Sequence, residues 1–402
     1  MSTPSWRIAR DISNHSVSKS ASIAIDDGVC VCQKESTKIM EYKKLGNTGI
    51  VVSKLALGTM YFGRETPEEE AFAILDTFIE AGGNFIDTAD VYVGGLAEQV
   101  VGRWLAGRPR QITDMVVLAT KGRSGNNADP NALGLSRRYL HRALDASLRR
   151  LGVETIDLYQ LHASDMHTPV EETLSFLDAA LRSGKIQYSG LSNFTGWQLQ
   201  LMVSTAKAMG MQPPATLQQQ YSLLSRESEW EVIPSAIYNG LGLLPWSPLA
   251  GGFLAGKYLR GSKPAAGTRA GSDKPLYQWT SAEYADSDRN WATIDAVIRV
   301  SKQAEATPAQ VALSWLSSRP GVVSPIIGAR NLKQLTENLG AADLTLSDQA
   351  TSILDEISAP VAGGYPYGAF GAWQRGRWLQ QDGTKAPPPP FATGSASPLG
   401  GA

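Results

Sequence analysis

The sequence is poor in the residues and runs that mark several classes of protein. Its 402 residues contain two cysteines, Cys30 and Cys32, whose C-V-C spacing fits neither a C-x-x-C redox motif nor half of a zinc site. No apolar run approaches the ~18–20 residues that a membrane span requires. The 37 basic and 38 acidic residues are mixed along the chain, so no nucleic-acid surface is indicated. We therefore expect a cytoplasmic protein with no metal site and no nucleic-acid or membrane partner.

The sequence also lacks a G-x-G-x-x-G motif after its first apolar run, which argues against a Rossmann dinucleotide fold. Instead, short apolar runs alternate with amphipathic stretches of helical length from Met40 to Pro360. Eight runs have the character of strands, from VSKLALG at the start to VVSPIIGA at the end. Strands that alternate with helices of about 10–15 residues predict βαβ units. Eight such units predict an α/β fold, a (β/α)8 barrel of the TIM type, with a long insertion after the seventh strand.

The two ends of the chain differ from this pattern. Residues 1–39 are serine-rich and lack the apolar core of a secretory signal, which predicts a disordered extension or an upstream start codon. A transit peptide stays open, although the aspartates in this segment count against it. The barrel is expected over 40–360, beginning with a β-hairpin whose turn contains Asn47, Thr48 and Gly49. Residues 383–402, rich in Pro, Gly and Ser, are expected to be disordered.

Four residues that can hold or transfer protons stand at the ends of successive predicted strands. Asp87, Lys121 and His162 each end an apolar run, and Tyr92 lies in the loop that follows Asp87. Barrel active sites gather at the C-terminal ends of the strands, so the fold would place all four at one rim. Taken singly, each residue is more often a cap, a solvated charge or a packing residue. The four together, at matched positions, favour the catalytic interpretation.

The motifs IDTADVY, ATKG and LYQLH, in this order, resemble the aldo-keto reductases. The segments GLSRRYLHRALDASLRRLG and WSPLAGG resemble most closely the potassium-channel β-subunit-like members of that family. The resemblance implies an NADP(H)-dependent oxidoreductase that reversibly reduces an aldehyde or ketone to an alcohol. It also implies that the hairpin plugs the N-terminal end of the barrel. The alternative is a cofactor-binding regulatory subunit, but those channel subunits carry Asn where this chain has His162, which favours a working reductase.

The resemblance implies a division of labour among the four residues that agrees with their chemistry. A free tyrosine has a pKa near ~10, too high for ready proton transfer at neutral pH. A neighbouring ammonium lowers a phenol pKa, so Lys121 is expected to activate Tyr92 as the general acid, and Asp87 to orient the lysine. His162 is expected to donate a hydrogen bond to the substrate oxygen.

The resemblance also extends, residue by residue, to cofactor binding. Ser192, Asn193 and Gln218 match positions that hold the nicotinamide carboxamide, and Trp246 matches an aromatic residue that stacks on the ring. Arg330, at the start of a predicted helix, suits a 2′-phosphate, because guanidinium groups and helix N-termini both attract phosphate. NADP(H) is therefore preferred over NAD(H). The whole expected cofactor set is Thr59, Asp87, Ser192, Asn193, Gln218, Trp246, Ser247, Leu249, Gly251, Lys257, Arg269, Gly328, Arg330, Gln334, Glu337 and Asn338.

The substrate is expected to be a small carbonyl or alcohol, selected by loops rather than by the barrel. The loops concerned are the Pro/Gly-rich insertion 251–285 and the segment 361–382. The aromatic residues of the second segment are expected to line an apolar mouth or, as we favour, to pack the segment onto the barrel. They are Tyr365, Tyr367, Phe370, Trp373 and Trp378. Self-association into a homo-oligomer is left open.

Overall fold

The computed structural model describes residues 40–125 and 129–375. The predicted extension 1–39 and tail 383–402 lie outside the described residues, as do residues 126–128 and 376–382. Within the described ranges, eight strands form one parallel sheet in the order β10-β3-β4-β5-β6-β7-β8-β9. These strands are β3 (Ala56–Gly58), β4 (Phe85–Asp87), β5 (Val117–Gly122), β6 (Ile156–Leu161), β7 (Ile186–Ser192), β8 (Thr216–Gln220), β9 (Gly242–Trp246) and β10 (Ile326–Gly328).

The sheet curls into a barrel, which closes between β9 and the residues that precede β10. The Leu243 amide donates to the Gly321 carbonyl, and the Val323 amide donates to the Leu243 carbonyl, both at 2.9 Å. Strands that follow one another in the sequence lie side by side from β3 to β9, and the last strand, β10, pairs with the first barrel strand, β3. The predicted eight-stranded (β/α)8 barrel is confirmed.

A hairpin covers the N-terminal end of the barrel. Its strands, β1 (Tyr42–Lys44) and β2 (Val51–Ser53), pair antiparallel. Leu45 and Val52 are fully buried against interior residues of the barrel such as Phe85 and Leu158. The hairpin loop approaches the barrel so closely that a Cβ on Gly46 would lie 2.3 Å from the Ala215 carbonyl oxygen. Only glycine fits this contact, where its φ of +58° is also unstrained.

The helices surround the barrel and bury their apolar faces against it. A single cluster of buried side chains joins the helices to the outer faces of the strands, including Trp104, Phe176 and Trp315. The helices are α1 (Glu68–Glu80), α2 (Leu96–Ala106), α3 (Arg110–Thr113), α4 (Arg137–Leu151), α5 (Val170–Arg182), α6 (Gly196–Ala208), α7 (Val232–Tyr238), α8 (Pro275–Ala285), α9 (Asp288–Gln303), α10 (Pro308–Ser317), α11 (Leu332–Leu339), α12 (Asp348–Ile357) and α13 (Ala369–Arg375). In the described part of the chain, no helix is long and apolar enough to cross a membrane.

The predicted insertion after the seventh barrel strand is present between β9 and β10. It begins with a 3-10 turn over Ala250–Ala255 and contains α8 and α9 before the barrel helix α10. Further on, the aromatic segment packs in part on the loop before α7. The Tyr367 ring stacks on Trp230 with centroids 5.8 Å apart, and its hydroxyl donates to Glu231. Tyr365 and Phe370 are exposed, and Trp378 lies outside the described residues.

Helices α2 and α4 approach each other closely at Gly102. We therefore predict that replacing Gly102 with alanine destabilises the fold. A Cβ at Gly102 would lie 2.4 Å from the Arg150 carbonyl oxygen, so Gly102→Ala would force the two helices apart. Overpacking of this kind costs typically about 1–3 kcal/mol, which outweighs the better helix propensity of alanine. We expect a clear fall in the midpoint of thermal unfolding.

The matched control is Gly107→Ala at the end of the same helix. A Cβ there would have its nearest neighbour at 3.5 Å, an ordinary contact, so we expect little change in stability. If the two variants unfold at the same temperature, the contact between Gly102 and Arg150 is not tight enough to require glycine, and the prediction is wrong.

Candidate active site

The four predicted chemical residues meet at the C-terminal rim of the barrel. Asp87 is the last residue of β4, Lys121 lies near the end of β5, and His162 directly follows β6. Tyr92 begins a short 3-10 turn after β4. Asp87 and Lys121 are almost completely buried. The parallel arrangement of β4, β5 and β6 therefore brings together residues that are up to 75 positions apart.

A short ion pair joins two of these residues. Lys121 Nζ lies 2.6 Å from Asp87 Oδ2 and donates at the same distance to the Thr88 carbonyl oxygen. Burial by itself lowers the pKa of Lys121, but Asp87 and Tyr92 outweigh it and hold that pKa above its ordinary value. The lysine is therefore an ammonium at neutral pH, although no water surrounds it.

The Tyr92 ring lies between the ammonium and the imidazole. Lys121 Nζ is 4.8 Å from the ring centroid, and the His162 ring meets it edge-on with centroids 6.0 Å apart. Backbone geometry sets this position, because Val93, Gly94 and Gly95 all have positive φ and turn the chain sharply into α2. A β-branched residue such as Val93 is strained in that conformation.

The acidity of Tyr92 differs from the sequence-based expectation. Burial raises the pKa of the phenol, Lys121 opposes that effect, and Asp87 adds to it, so that the net pKa lies above its ordinary value. Lys121 does lower the pKa of Tyr92, as expected from the sequence, but burial is the larger effect and the net pKa is raised. The phenol consequently keeps its proton at neutral pH.

His162 is neutral for the same physical reason. Burial lowers its pKa most, and the positive charges of Lys121 and Arg123 lower it further, to about 3. A neutral imidazole carries one N–H donor and one acceptor nitrogen. Its buried Nδ1 has no hydrogen-bond partner among the described residues.

Gln160, which the sequence did not single out, contacts Asp87 and lies in register with Lys121. Its Nε2 donates to Asp87 Oδ1 at 3.1 Å, and it is completely buried. Side chains two positions apart along a strand face the same way, and Gln160 on β6 lies two positions before His162, which directly follows that strand. This spacing was the signal in the sequence that could have placed Gln160 near the site. A glutamine in an apolar strand was not, by itself, enough to identify a functional role.

The residues expected to contact the nicotinamide lie on the next three strands: Ser192 ends β7 and Asn193 follows it, Gln218 lies in the middle of β8, and Trp246 ends β9. Trp246 Nε1 donates to Asn193 Oδ1 at 3.0 Å, and Asn193 Nδ2 donates to the His162 carbonyl oxygen and to Ser192 Oγ. This chain of contacts connects β9 and β7 to the catalytic rim. Gln218 Nε2 donates to Asp87 Oδ1 at 2.8 Å. Thr59 joins the same region through a hydrogen bond to the Asp87 carbonyl oxygen.

The insertion brings Arg269 against the loop that follows β3. Its guanidinium lies over the rings of Tyr61 and Tyr277, 5.3 and 4.9 Å from their centroids, and it donates to the Tyr61 hydroxyl. Burial lowers the pKa of Arg269 below its ordinary value. Lys257 is exposed, and no described contact joins it to the other predicted residues.

The turn after β9 contains three residues of the expected cofactor set, Ser247, Leu249 and Gly251. Ser247 and Gly251 both have positive φ, and Leu249 lies between them. This backbone turns sharply at the barrel rim, beside Trp246.

The connection from β10 to α11 contains the predicted phosphate residues. Gly328 ends β10, but α11 begins at Leu332 with Asn331 as its N-cap, so Gly328 and Arg330 precede the helix rather than open it. Arg330 NH1 donates to the Gly267 carbonyl oxygen at 3.0 Å and lies 3.9 Å from Glu65 Oε2.

The predicted residues within α11 take two different positions. Gln334 Oε1 accepts from the Arg330 amide at 3.0 Å and so braces the turn before the helix. Asn338 is buried, whereas Glu337 is partly exposed and accepts through its carbonyl from Gln310. No described contact assigns Glu337 or Asn338 to the rim, and their roles stay predictions.

Sequence comparisons with known proteins give one family and several relatives. A sequence profile described as the aldo/keto reductase family matches residues 54–359. An uncharacterized oxidoreductase of Bacillus subtilis, YrpG, is 38% identical over 83% of this chain and all of its own length. A probable voltage-gated potassium channel subunit beta of Oryza sativa subsp. japonica is 34% identical over 80% of this chain and 97% of its own. Versiconal hemiacetal acetate reductase of Aspergillus parasiticus is 32% identical over 80% of this chain and 98% of its own.

Proposed function

Because the chain belongs to the aldo/keto reductase family of oxidoreductases, we propose that it reversibly reduces an aldehyde or ketone to an alcohol with NADP(H). The observation that carries the proposal is the contact group at the barrel rim formed by the buried Asp87 and Lys121 with the partly buried Tyr92 and His162. It contains a protonated phenol, an ammonium and a neutral imidazole in contact. A relative that is named as a reductase, from Aspergillus parasiticus, supports the same reaction class.

The residues of the chain donate the proton to the substrate oxygen and stabilise the negative charge that develops on it. When bound, the nicotinamide cofactor supplies the hydride. Tyr92 gives its proton to the oxygen as negative charge develops there. The Lys121 ammonium stabilises the phenolate that is left, and Asp87 keeps the ammonium charged and in place. His162, being neutral, offers one N–H to the substrate oxygen and polarises the carbonyl.

The cations near the insertion fit a phosphorylated dinucleotide. Arg269 and Arg330 belong to different segments, yet both contact the region around Tyr61 and Gly267. The capped N-terminus of α11 follows directly after Arg330, and its dipole favours negative charge. We infer that Arg330 binds the 2′-phosphate, which makes NADP(H) the preferred cofactor.

A second candidate function is a cofactor-binding regulatory subunit. The relative from Oryza sativa is named as a potassium channel subunit, and its identity to this chain is close to that of the named reductase. His162 favours the reductase, because its neutral imidazole supplies a hydrogen-bond donor beside Tyr92. Turnover of carbonyl substrates by the purified protein distinguishes the two functions.

The first test removes the proposed general acid. Tyr92→Phe should reduce turnover by about 10²–10⁴-fold and leave NADPH binding nearly intact, since the phenol gives its proton only in the transition state. NADPH consumption with a panel of aldehydes and ketones measures the rate, and fluorescence titration measures the affinity. Tyr42→Phe, which removes an exposed hydroxyl from the hairpin, is the matched control. Retention of more than about a tenth of wild-type turnover would exclude Tyr92 as the acid.

The second test concerns the cofactor preference. Arg330→Ala should weaken NADPH binding by roughly 10–150-fold and leave NADH binding almost unchanged, because a hydrogen bond to a charged group is worth about 1.5–3 kcal/mol. Dissociation constants for both cofactors give the comparison, with Arg182→Ala on the exposed surface of α5 as the control. Equal weakening of both cofactors would mean that Arg330 only supports the loop. Wild-type protein that binds NADH as tightly as NADPH would contradict the NADP(H) assignment.

A further inference from the structure

Gln160 is a buried polar residue that the proposed chemistry does not use directly. It is completely buried within the barrel and lies in register with Lys121 on β5 and with Gly190 on β7. A buried amide is costly unless both its nitrogen and its oxygen find partners. The partners of Gln160 are therefore informative about why a glutamine stands at this place.

Both partners of Gln160 are residues already assigned to the site. Its Nε2 donates to Asp87 Oδ1 at 3.1 Å, and its Oε1 accepts from Gln218 Nε2 at 3.2 Å. Gln218 Nε2 donates in turn to Asp87 Oδ1 at 2.8 Å. Asp87, Gln160 and Gln218 thus form a closed set of three hydrogen bonds, which we name the amide–carboxylate triangle.

The carboxylate fixes the direction of every hydrogen bond in the triangle. An ionised carboxylate only accepts, so both amides must turn their NH₂ groups towards Asp87. Gln218 then uses one amide hydrogen on Asp87 and the other on Gln160. Its oxygen is the atom that remains for a ligand, and it suits an N–H donor such as the NH₂ of a carboxamide. Without Gln160, the second hydrogen of Gln218 loses the partner that holds the amide in this orientation.

The triangle also determines how Asp87 meets Lys121. Because the two glutamines occupy Oδ1, the other carboxylate oxygen, Oδ2, faces Lys121 Nζ at 2.6 Å. The neighbouring strand makes room for this arrangement. A Cβ at Gly190 would clash with Thr216 Oγ1 at 2.2 Å and would also crowd the glutamine stem, with Gln160 Cγ at 3.1 Å.

We propose that Gln160 is a positioning residue for two functions of the site at once. It orients the Asp87 carboxylate towards Lys121, and it fixes the direction in which the Gln218 amide faces a bound cofactor. The inference rests on the proposed function as far as turnover is concerned, whereas the triangle itself belongs to the fold. Gln160 contacts neither substrate nor reacting atoms and acts through Asp87 and Gln218.

Two substitutions separate this role from simple filling of space. Gln160→Leu keeps a similar volume and removes both hydrogen bonds. Gln160→Glu places a second carboxyl beside Asp87, and a buried carboxyl next to a like charge has its pKa raised. When protonated at low pH, the introduced carboxyl donates to Asp87 and accepts from Gln218, so the triangle is kept. When the introduced carboxyl is ionised at higher pH, it repels Asp87. It also competes with Asp87 for Lys121, which lies in register with residue 160 on the neighbouring strand β5.

The control is Gln219→Leu on β8. This variant makes the same chemical change two strands away in the barrel, at a residue that faces the opposite side of the sheet from Gln218 and has no described contact with Asp87. We expect turnover and NADPH affinity of Gln219→Leu to stay within about twofold of the wild type, the change expected for a substitution outside the triangle.

The measurements are NADPH affinity and carbonyl reduction as a function of pH. Gln160→Leu should lower turnover at every pH by about tenfold, and weaken NADPH binding by roughly 2–10-fold through the loosened Gln218 amide. Gln160→Glu should approach wild-type turnover near about pH 5.5 and lose it progressively as the pH rises towards about 8. Turnover of Gln160→Leu above half that of the wild type, or a Gln160→Glu profile parallel to that of the wild type, would overturn the proposal.

A third measurement tests the amide–carboxylate triangle without relying on turnover. The raised pKa of the introduced carboxyl disfavours its charged form in the folded state, so Gln160→Glu should lose stability relative to wild type as the pH rises above about 4.3. Thermal midpoints across pH test this directly. If wild-type protein reduces no carbonyl, the proposed function fails, while the pH-dependent loss of stability still supports the triangle. A constant difference in midpoint across pH would overturn the triangle itself.

Discussion

The site depends on one interaction, the buried contact between the Lys121 ammonium and the Asp87 carboxylate. Two charges removed from water are stable together only if their remaining hydrogen-bonding groups are also satisfied. Here the Thr88 carbonyl oxygen accepts from the lysine, and Gln160 and Gln218 donate to the carboxylate. The pair and these partners together come from four barrel strands or their ends, namely β4, β5, β6 and β8. The closed barrel is therefore what makes a buried charge pair possible at this rim.

The protonation states around the pair follow from burial and from the charge of Lys121. Burial keeps Tyr92 protonated although Lys121 opposes it, whereas burial and Lys121 act together to keep His162 neutral at neutral pH. A protonated phenol and a neutral imidazole are both hydrogen-bond donors. The proposed reduction uses these two donors at the oxygen where negative charge develops, with the ammonium behind the phenol. Asp87 thus acts at a distance on the reaction by keeping Lys121 charged.

The barrel and the gathering of the four residues were predictable from the sequence, whereas the acidity of Tyr92 and the role of Gln160 were not. Alternating strands and helices predict the barrel, and strand ends in a barrel meet at one rim. The pKa of Tyr92 depends on how deeply its ring is buried, which the sequence does not show. Gln160 gains its role from Gln218, a partner 58 positions away. Likewise, Arg330 contacts Gly267 in the insertion, so its surroundings depend on tertiary folding.

Removing both charges together shows whether the buried charge pair supports proton donation by the phenol. In Asp87→Asn combined with Lys121→Met, no uncompensated charge remains buried, so the protein should fold. We predict that carbonyl reduction by this double variant falls by about 10²-fold or more while its thermal unfolding stays cooperative. A folded double variant that keeps more than about a tenth of wild-type turnover would contradict the account.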